Sequence, residues 1–411
     1  MKIRNLIQQK LLNIFSTKKN LSKEEYIPYG KQNISKDDIN AVIKILKSDY
    51  LTQGDQVPSF EKSLSNFLKV NYSIAVNSGT SALHIACLAL GLTKGDYLWT
   101  SPISFVASAN CGRYCNAEID FVDIDLETGL LDVNLLSEKL KDAELKGKLP
   151  KIIVCVHLGG TSCDMKSIKK LSEKFGFKII EDASHSFGGI YFEGKVGDCR
   201  YSDICVFSFH PVKIITTAEG GLATTNRKDL AEKMKLYRTH YITKDQSKFE
   251  LTNFGNWSYE QQGLGFNYRM NDIQAALGLS QLKRITDIIE ERNKILNTYK
   301  KSINVPNISF LKIDKNIKSA VHLAIIILNN ISEENHKKVF NEMRQRNIGV
   351  QLHYSPIHLQ PYYRKLGFKK GDYPKSEEYS RKALSLPVFE GFTDAQQQYV
   401  IKSLLDIVYS L

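Results

Sequence analysis

Apolar residues recur along this chain with two different spacings, and the alternation between them outlines a fold. From Ile34 to about Asn226, short runs rich in β-branched residues alternate with segments whose apolar positions repeat every three to four residues. The first spacing suits strands, whose side chains alternate between faces, and the second suits helices with one buried stripe. Helices are expected over 36–48, 57–69, 80–92 and 164–176, and strands over 73–76, 119–122, 151–156, 178–181 and 204–207. Strands alternating with helices form a mainly parallel sheet covered by helices, an α/β architecture. In such a sheet the residues just past the carboxyl ends of strands gather at one crevice, so functional groups are expected there.

Two further regions frame this one. Beyond Asn271 a long helical stretch over 273–303 leads into strand-like apolar runs such as 324–328. A chain of 411 residues exceeds what one core usually holds. The expected division is an N-terminal extension over 1–26, a large domain over 27–284 with a mostly parallel sheet and helices on both faces, and a smaller α+β domain over 285–411. In the extension, Ile3, Leu6, Ile7, Leu11, Leu12, Ile14 and Phe15 recur at helical spacing among Lys2, Arg4, Lys10, Lys18 and Lys19. That pattern predicts a short basic amphipathic helix. It lacks the continuous apolar segment and small-residue cleavage site of an export signal, so export is not expected.

Composition removes several function classes. Hydrophobic residues make up 42% and charged residues 24%, near the averages for soluble globular proteins, and no apolar run is long enough to span a membrane. A cytoplasmic protein with no integral membrane contact is expected. Seven cysteines are scattered through apolar stretches without zinc-site spacing, which predicts reduced thiols and no metal. The net charge of +12 comes from lysines that alternate with acids along helical segments. No helix-turn-helix, zinc finger or aromatic-basic motif accompanies it, so nucleic acid is not an expected partner.

The candidate chemistry lies at the expected strand ends. Asn77-Ser78-Gly79-Thr80-Ser81 separates a strand from an apolar helix. Free amides at a helix start, a glycine that admits close backbone approach and flanking hydroxyls together suit an anion, although an ordinary capped helix reads the same way. Asp182 follows the strand 178–181, where a partly buried acid needs a cationic partner: a protonated pyridine nitrogen or a structural salt bridge. The strand 204–207 runs into Ser208-Phe209-His210-Pro211-Val212-Lys213-Ile214-Ile215-Thr216-Thr217-Ala218-Glu219-Gly220-Gly221. In that apolar, turn-rich setting desolvation favours the neutral amine of Lys213, which suits a nucleophile or base.

The order of phosphate turn, aromatic segment Pro102-Ile103-Ser104-Phe105, strand-end Asp182 and strand-Ser-loop-Lys resembles the DegT-type nucleotide-sugar aminotransferases, from about Ile27 to the C-terminus. The resemblance implies the type I aminotransferase fold and pyridoxal phosphate as cofactor. By matching position, Lys213 resembles the family's Schiff-base lysine, Asp182 its pyridine-nitrogen partner and Phe105 its ring-stacking aromatic. Ser78, Gly79, Thr80 and Ser208 match the phosphate cup, and His185 stands where the family has His or Gln near the phenolic oxygen. Asn267, in Gly265-Phe266-Asn267-Tyr268-Arg269, resembles the residue that reaches the phosphate from a neighbouring subunit, which implies a homodimer with shared active sites. Members that dehydrate sugars carry His at the lysine position, so the presence of Lys213 implies transamination.

Ile27-Pro28-Tyr29, Leu51-Thr52-Gln53-Gly54 and His353-Tyr354 most resemble members of the pseudaminic acid pathway. Those members move an amino group from L-glutamate to the C4 keto group of a UDP-linked 4-keto-6-deoxy-N-acetylhexosamine. On that comparison Tyr29, Tyr50, Thr52, His353 and Tyr354 resemble substrate-side residues, although packing explains such residues equally well. A GDP- or dTDP-linked hexose is the alternative substrate, and a non-catalytic regulatory protein that binds pyridoxal phosphate is the alternative class.

Overall fold

The computed structural model describes residues 26–251, 255 and 257–411; the amphipathic helix expected near the N-terminus lies outside the described residues. Seven strands form the main sheet: β1 (Tyr72–Val76), β2 (Tyr97–Thr100), β3 (Glu118–Phe121), β4 (Ile152–Val156), β5 (Lys178–Asp182), β6 (Ile204–Ser208) and β7 (Gly221–Thr225). Their spatial order is β1-β7-β6-β5-β4-β2-β3. The pairs from β3 through β2, β4 and β5 to β6 are parallel, whereas β7 is antiparallel to both its neighbours, β6 and β1. Six strands therefore point one way and β7 alone is reversed. The expected strands all occur, and the sheet adds β2 and β7, which the spacing did not reveal.

Both faces of the sheet are buried, with successive residues serving opposite cores. Ile74, Val76, Ile152, Val154, Ile204 and Val206 face one side, under α3 (Gly79–Ala89), α4 (Ala107–Tyr114) and α7 (Lys228–Arg238). Ala75, Ile153, Cys155, Cys205 and Phe207 face the other, under α2 (Gln56–Leu68), α5 (Val133–Leu145), α6 (Met165–Phe175) and α8 (Asp272–Leu282). All seven cysteines are buried free thiols.

A third core holds the three-stranded antiparallel sheet of β8 (Ile308–Phe310), β9 (Ala324–Leu328) and β10 (Ala383–Leu386) under α10 (Glu333–Gln345) and α11 (Asp394–Tyr409). Ile27 joins it from the other end of the chain and pairs with Ile348. The single helix expected over 273–303 is two: α8 ends at Leu282, and α9 (Ile285–Ser302) begins after a turn at Lys283 and Arg284. Tertiary contacts set that break. The Arg284 guanidinium binds the buried Asp38 carboxylate at 3.0 Å and also pairs with Glu390, anchoring the turn to two other segments. The first turns of α9 bury Ile285, Ile288 and Ile289 in one core, and its later turns bury Ile295, Leu296 and Tyr299 in another.

Candidate active site

The reversed strand shapes the site. Gly221, at the start of β7, is paired with both Val76 and Ser208, the last residues of β1 and β6. The segment from Ser208 to Gly221 thus leaves and re-enters the sheet at the same edge, and Lys213 lies on that excursion. Phe209, Ile214, Ile215 and Thr217 are buried and hold it down. The Thr217 amide donates to the Phe209 carbonyl at 3.0 Å and the Thr216 hydroxyl donates to the same carbonyl at 3.1 Å.

At the end of β1 the chain turns through Asn77 and Ser78 into α3. Ser78 is the N-cap, extended at φ −164°, and its Oγ accepts from the Ser81 amide at 3.1 Å. No acidic side chain occupies the first turn of α3, so its positive end is left for an external anion. Two glycines permit the close packing here. A Cβ on Gly79 would lie 3.0 Å from Ser208 Cβ, and one on Gly221 would lie 2.3 Å from the Ser78 carbonyl oxygen.

Asp182 ends β5, buried, with three donors on its carboxylate. Ser108 Oγ donates to Oδ2 at 2.6 Å, and Ser184 donates to Oδ1 through its hydroxyl at 2.6 Å and its amide at 3.2 Å. Burial lowers the Lys213 ammonium pKa to about 8, against an opposing pull from the Asp182 carboxylate.

The far wall is aromatic. The Gly159 amide donates to His185 Nδ1 at 3.2 Å, and His185 Nε2 lies 3.1 Å from the Tyr354 hydroxyl. Burial holds His185 and His322 well below the usual histidine range; their rings are 4.4 Å apart, and the buried His322 Nδ1 has no hydrogen-bond partner among the described residues. His353 is pushed down to about 3 by burial and then by the charge of Lys213, and its Nδ1 meets Ser385 Oγ at 2.8 Å. Tyr29 packs against His353 at 5.3 Å between ring centroids. Phe105 exposes 59% of its surface.

These groups line one cleft of about 540 Å3. It brings together Tyr29, Ser78, Gly79, Thr80, Phe105, Asp182, His185, Ser208, Lys213, His353 and Tyr354. Three residues singled out in the sequence do not line it. Tyr50 and Thr52 are exposed on the loop between α1 (Lys36–Leu46) and α2, a loop held by Asp272, whose carboxylate accepts from the Gly54 amide at 2.7 Å. Asn267 is bridged to Thr239, and its carbonyl accepts from Asn77 Nδ2 at 3.5 Å. Sequence reasoning missed Ser108, Ser184, His322 and Gln351. Ser184, two residues past a strand-end Asp, was open to discovery as a local capping partner; the others depend on tertiary contacts.

The family model described as "DegT/DnrJ/EryC1/StrS aminotransferase family" matches residues 32–405. The UDP-4-amino-4,6-dideoxy-N-acetyl-beta-L-altrosamine transaminase of Campylobacter jejuni is 34% identical over 383 residues, 93% of this chain and 97% of that protein. Helicobacter pylori PseC, described as an aminotransferase involved in the biosynthesis of pseudoaminic acid, superposes with a TM-score of 0.86 at 32% identity, covering 94% of this chain and 100% of that one. Spr1654 of Streptococcus pneumoniae, solved in its PLP form, gives a TM-score of 0.85 at 25% identity over 94% of this chain and 99% of that one.

Proposed function

The chain belongs to the DegT/DnrJ/EryC1/StrS aminotransferase family, a pyridoxal-phosphate-dependent family that includes nucleotide-sugar aminotransferases, and from that premise we propose its substrates and the roles of its residues. The reading is transfer of the amino group of L-glutamate to the C4 keto carbon of a UDP-linked 4-keto-6-deoxy-N-acetylhexosamine, in the cytoplasm. One observation carries it: a buried lysine of lowered pKa shares a cleft with a carboxylate oriented by three hydrogen bonds and a glycine-lined helix start.

The residues fit the cofactor. The cradle at Ser78, Gly79, Thr80 and Ser208 suits its phosphate, and a Cβ on Gly79 or Gly221 would fill that cradle. When bound, the cofactor supplies an electron-withdrawing ring that makes the carbon–hydrogen bond beside the transferred nitrogen acidic. Asp182, fixed by Ser108 and Ser184, holds a proton on the pyridine nitrogen. Lys213, with its pKa near 8, takes a proton from carbon as a free amine and returns it as an ammonium. Phe105 offers an aromatic face for stacking, and Tyr29, His353 and Tyr354 border the space left for the sugar. One site serving donor and acceptor in turn gives ping-pong kinetics.

The same reading includes a homodimer. Tyr50, Thr52 and Asn267 lie outside the cleft of their own chain, so a substrate or phosphate role for them needs a second copy. Ile39, Ile43, Leu46 and Leu51, close to Tyr50 and Thr52 in the chain, are exposed, as are Trp257 and Leu264 ahead of Asn267, a combination that a second copy would cover.

Incubation of the purified protein with glutamate and a panel of 4-keto and 3-keto nucleotide sugars tests the reading, with products identified by mass and NMR. The expected product is the 4-amino sugar from the UDP-linked N-acetylhexosamine. Preferential turnover of a GDP- or dTDP-linked hexose would replace the substrate.

A further inference from the structure

Two helices bring three of the seven buried thiols to one place. His84 and Cys87 stand three residues apart on α3, and Cys111 and Cys115 stand four apart at the end of α4, so each pair shares a helix face. The faces meet. Cys87 hydrogen-bonds with both Cys111 and Cys115, Cys115 hydrogen-bonds with His84 as well, and the three cysteines belong to one core. His84 is held in turn: its Nδ1 lies 3.1 Å from the Tyr268 hydroxyl, and its ring packs against Tyr114 and Phe266 at 5.4 and 4.8 Å between centroids.

The three thiols are not equivalent. Cys87 and Cys111 are wholly buried, and Cys111 Sγ donates to the Ser108 carbonyl at 3.3 Å, whereas Cys115 keeps 6% of its surface open beside the exposed Tyr114. The hydrogen bond from Cys87 lowers the Cys115 thiol to about 6; burial opposes this and His84 adds to it. Cys115 is the C-cap of α4, where the helix dipole disfavours an anion, so its two side-chain partners are what favour the thiolate. Burial, above all, pushes the Cys87 thiol up and keeps its proton in place. Burial and then neighbouring charges push Cys155, Cys199 and Cys205 up as well, which leaves them inert.

We propose that Cys115 and Cys87 form an oxidation site for a peroxide, with Cys115 as the attacking sulfur, His84 as its proton acceptor and Cys87 as the resolving thiol. The Cys115 thiolate attacks one peroxide oxygen, the O–O bond breaks, and the other oxygen takes the electron pair and the proton held by His84 and leaves as water. The Cys87 sulfur then attacks the resulting sulfenic acid; the S–O bond breaks and the departing oxygen leaves with the Cys87 proton as a second water. Two thiols have lost two electrons and two protons, and the peroxide has been reduced to two waters. The new bond joins α3, which begins at the anion cradle, to the end of α4, which carries Ser108.

The test treats the reduced full-length protein with limiting hydrogen peroxide, alkylates the remaining thiols under denaturing conditions and maps the peptides by mass spectrometry without reduction. The expected product is a Cys87–Cys115 disulfide, reversed by dithiothreitol, with the other five cysteines alkylated. Cys87→Ala should stop at a sulfenic acid on Cys115 that dimedone traps, and Cys115→Ala should slow oxidation at Cys87 by about tenfold or more. A disulfide between any other pair overturns the proposal, as does oxidation spread evenly over the seven cysteines. Seven intact thiols at a peroxide dose that fully oxidises free cysteine in a parallel sample overturn it too, and this outcome needs no variant to fold.

Discussion

Replacing Gly221 by alanine adds one methyl group where three strand ends meet. The new Cβ would stand 2.3 Å from the Ser78 carbonyl oxygen, 2.4 Å from its carbon and 2.6 Å from the Gly79 nitrogen. All three are backbone atoms, so no side chain can swing aside; β7 and the turn into α3 must separate by about 1 Å to restore ordinary contact. Overpacking of this kind costs typically 1–3 kcal/mol, and backbone on both sides points to about 3 kcal/mol. With about 2.1 cal/mol/K of unfolding entropy per residue over 411 residues, or about 0.86 kcal/mol/K, melting should fall by about 3–4 °C. Cofactor affinity should suffer more than stability, since a 1 Å displacement in a positioning site commonly costs about a hundredfold. Titration with pyridoxal phosphate by visible absorbance, alongside melting with and without it, measures both effects. Gly176→Ala is the control: Gly176 has φ +81° at the end of α6 with nothing within 4 Å of a Cβ, so it should lose about 1 kcal/mol and leave cofactor binding unchanged. A Gly221→Ala protein that binds the cofactor as tightly as the Gly176→Ala control would refute the cradle.

Three other outcomes follow from the site. The rate of the proton-transfer step should rise with pH through a midpoint near 8 as Lys213 loses its proton, and Asp182→Asn should move that midpoint down, because the carboxylate raises the lysine pKa; single-turnover pH profiles read both. Lys213→Ala should reduce amino transfer by about 10²–10⁴-fold or more and abolish borohydride-stable labelling at this position, as peptide mapping would show. His185, His322 and His353 are held neutral in the folded protein, so the unfolded chain binds protons more tightly: their stability contribution is complete above pH 6.5 and is lost as pH falls toward the folded values. The slope approaches about 1.4 kcal/mol per pH unit for each ring, and equal melting at pH 7.5 and 5.5 would contradict it.

The sequence made the site more legible than the sheet that builds it. Strands buried on both faces, such as Ile152–Val156, show as unbroken apolar runs. By contrast, β2 is four residues long and β7 is largely glycine, alanine and threonine, so neither stands out from a loop. The helix break at Lys283 and Arg284 has no local signal, since it depends on Asp38 and Glu390 far away in sequence. Strand-end logic found Asp182 and the approach to Lys213 because geometry collects such positions at one edge. Ser108 escaped because its hydroxyl gains a role only from what folds against it, whereas Ser184 lay within reach of local turn logic. Tyr50, Thr52 and Asn267 were picked out by resemblance, and one chain alone does not bring them to its own cleft.

The helix Ile285–Ser302 is set into two cores at once, like a rod cast at its ends into separate blocks. Swinging the blocks apart would mean snapping a continuous ladder of backbone hydrogen bonds, so the cleft resembles a mould more than a jaw. On the substrate roles proposed for Tyr29, His353 and Tyr354, reshaping what it accepts is then a matter of re-carving those walls; loosening a hinge would not do it.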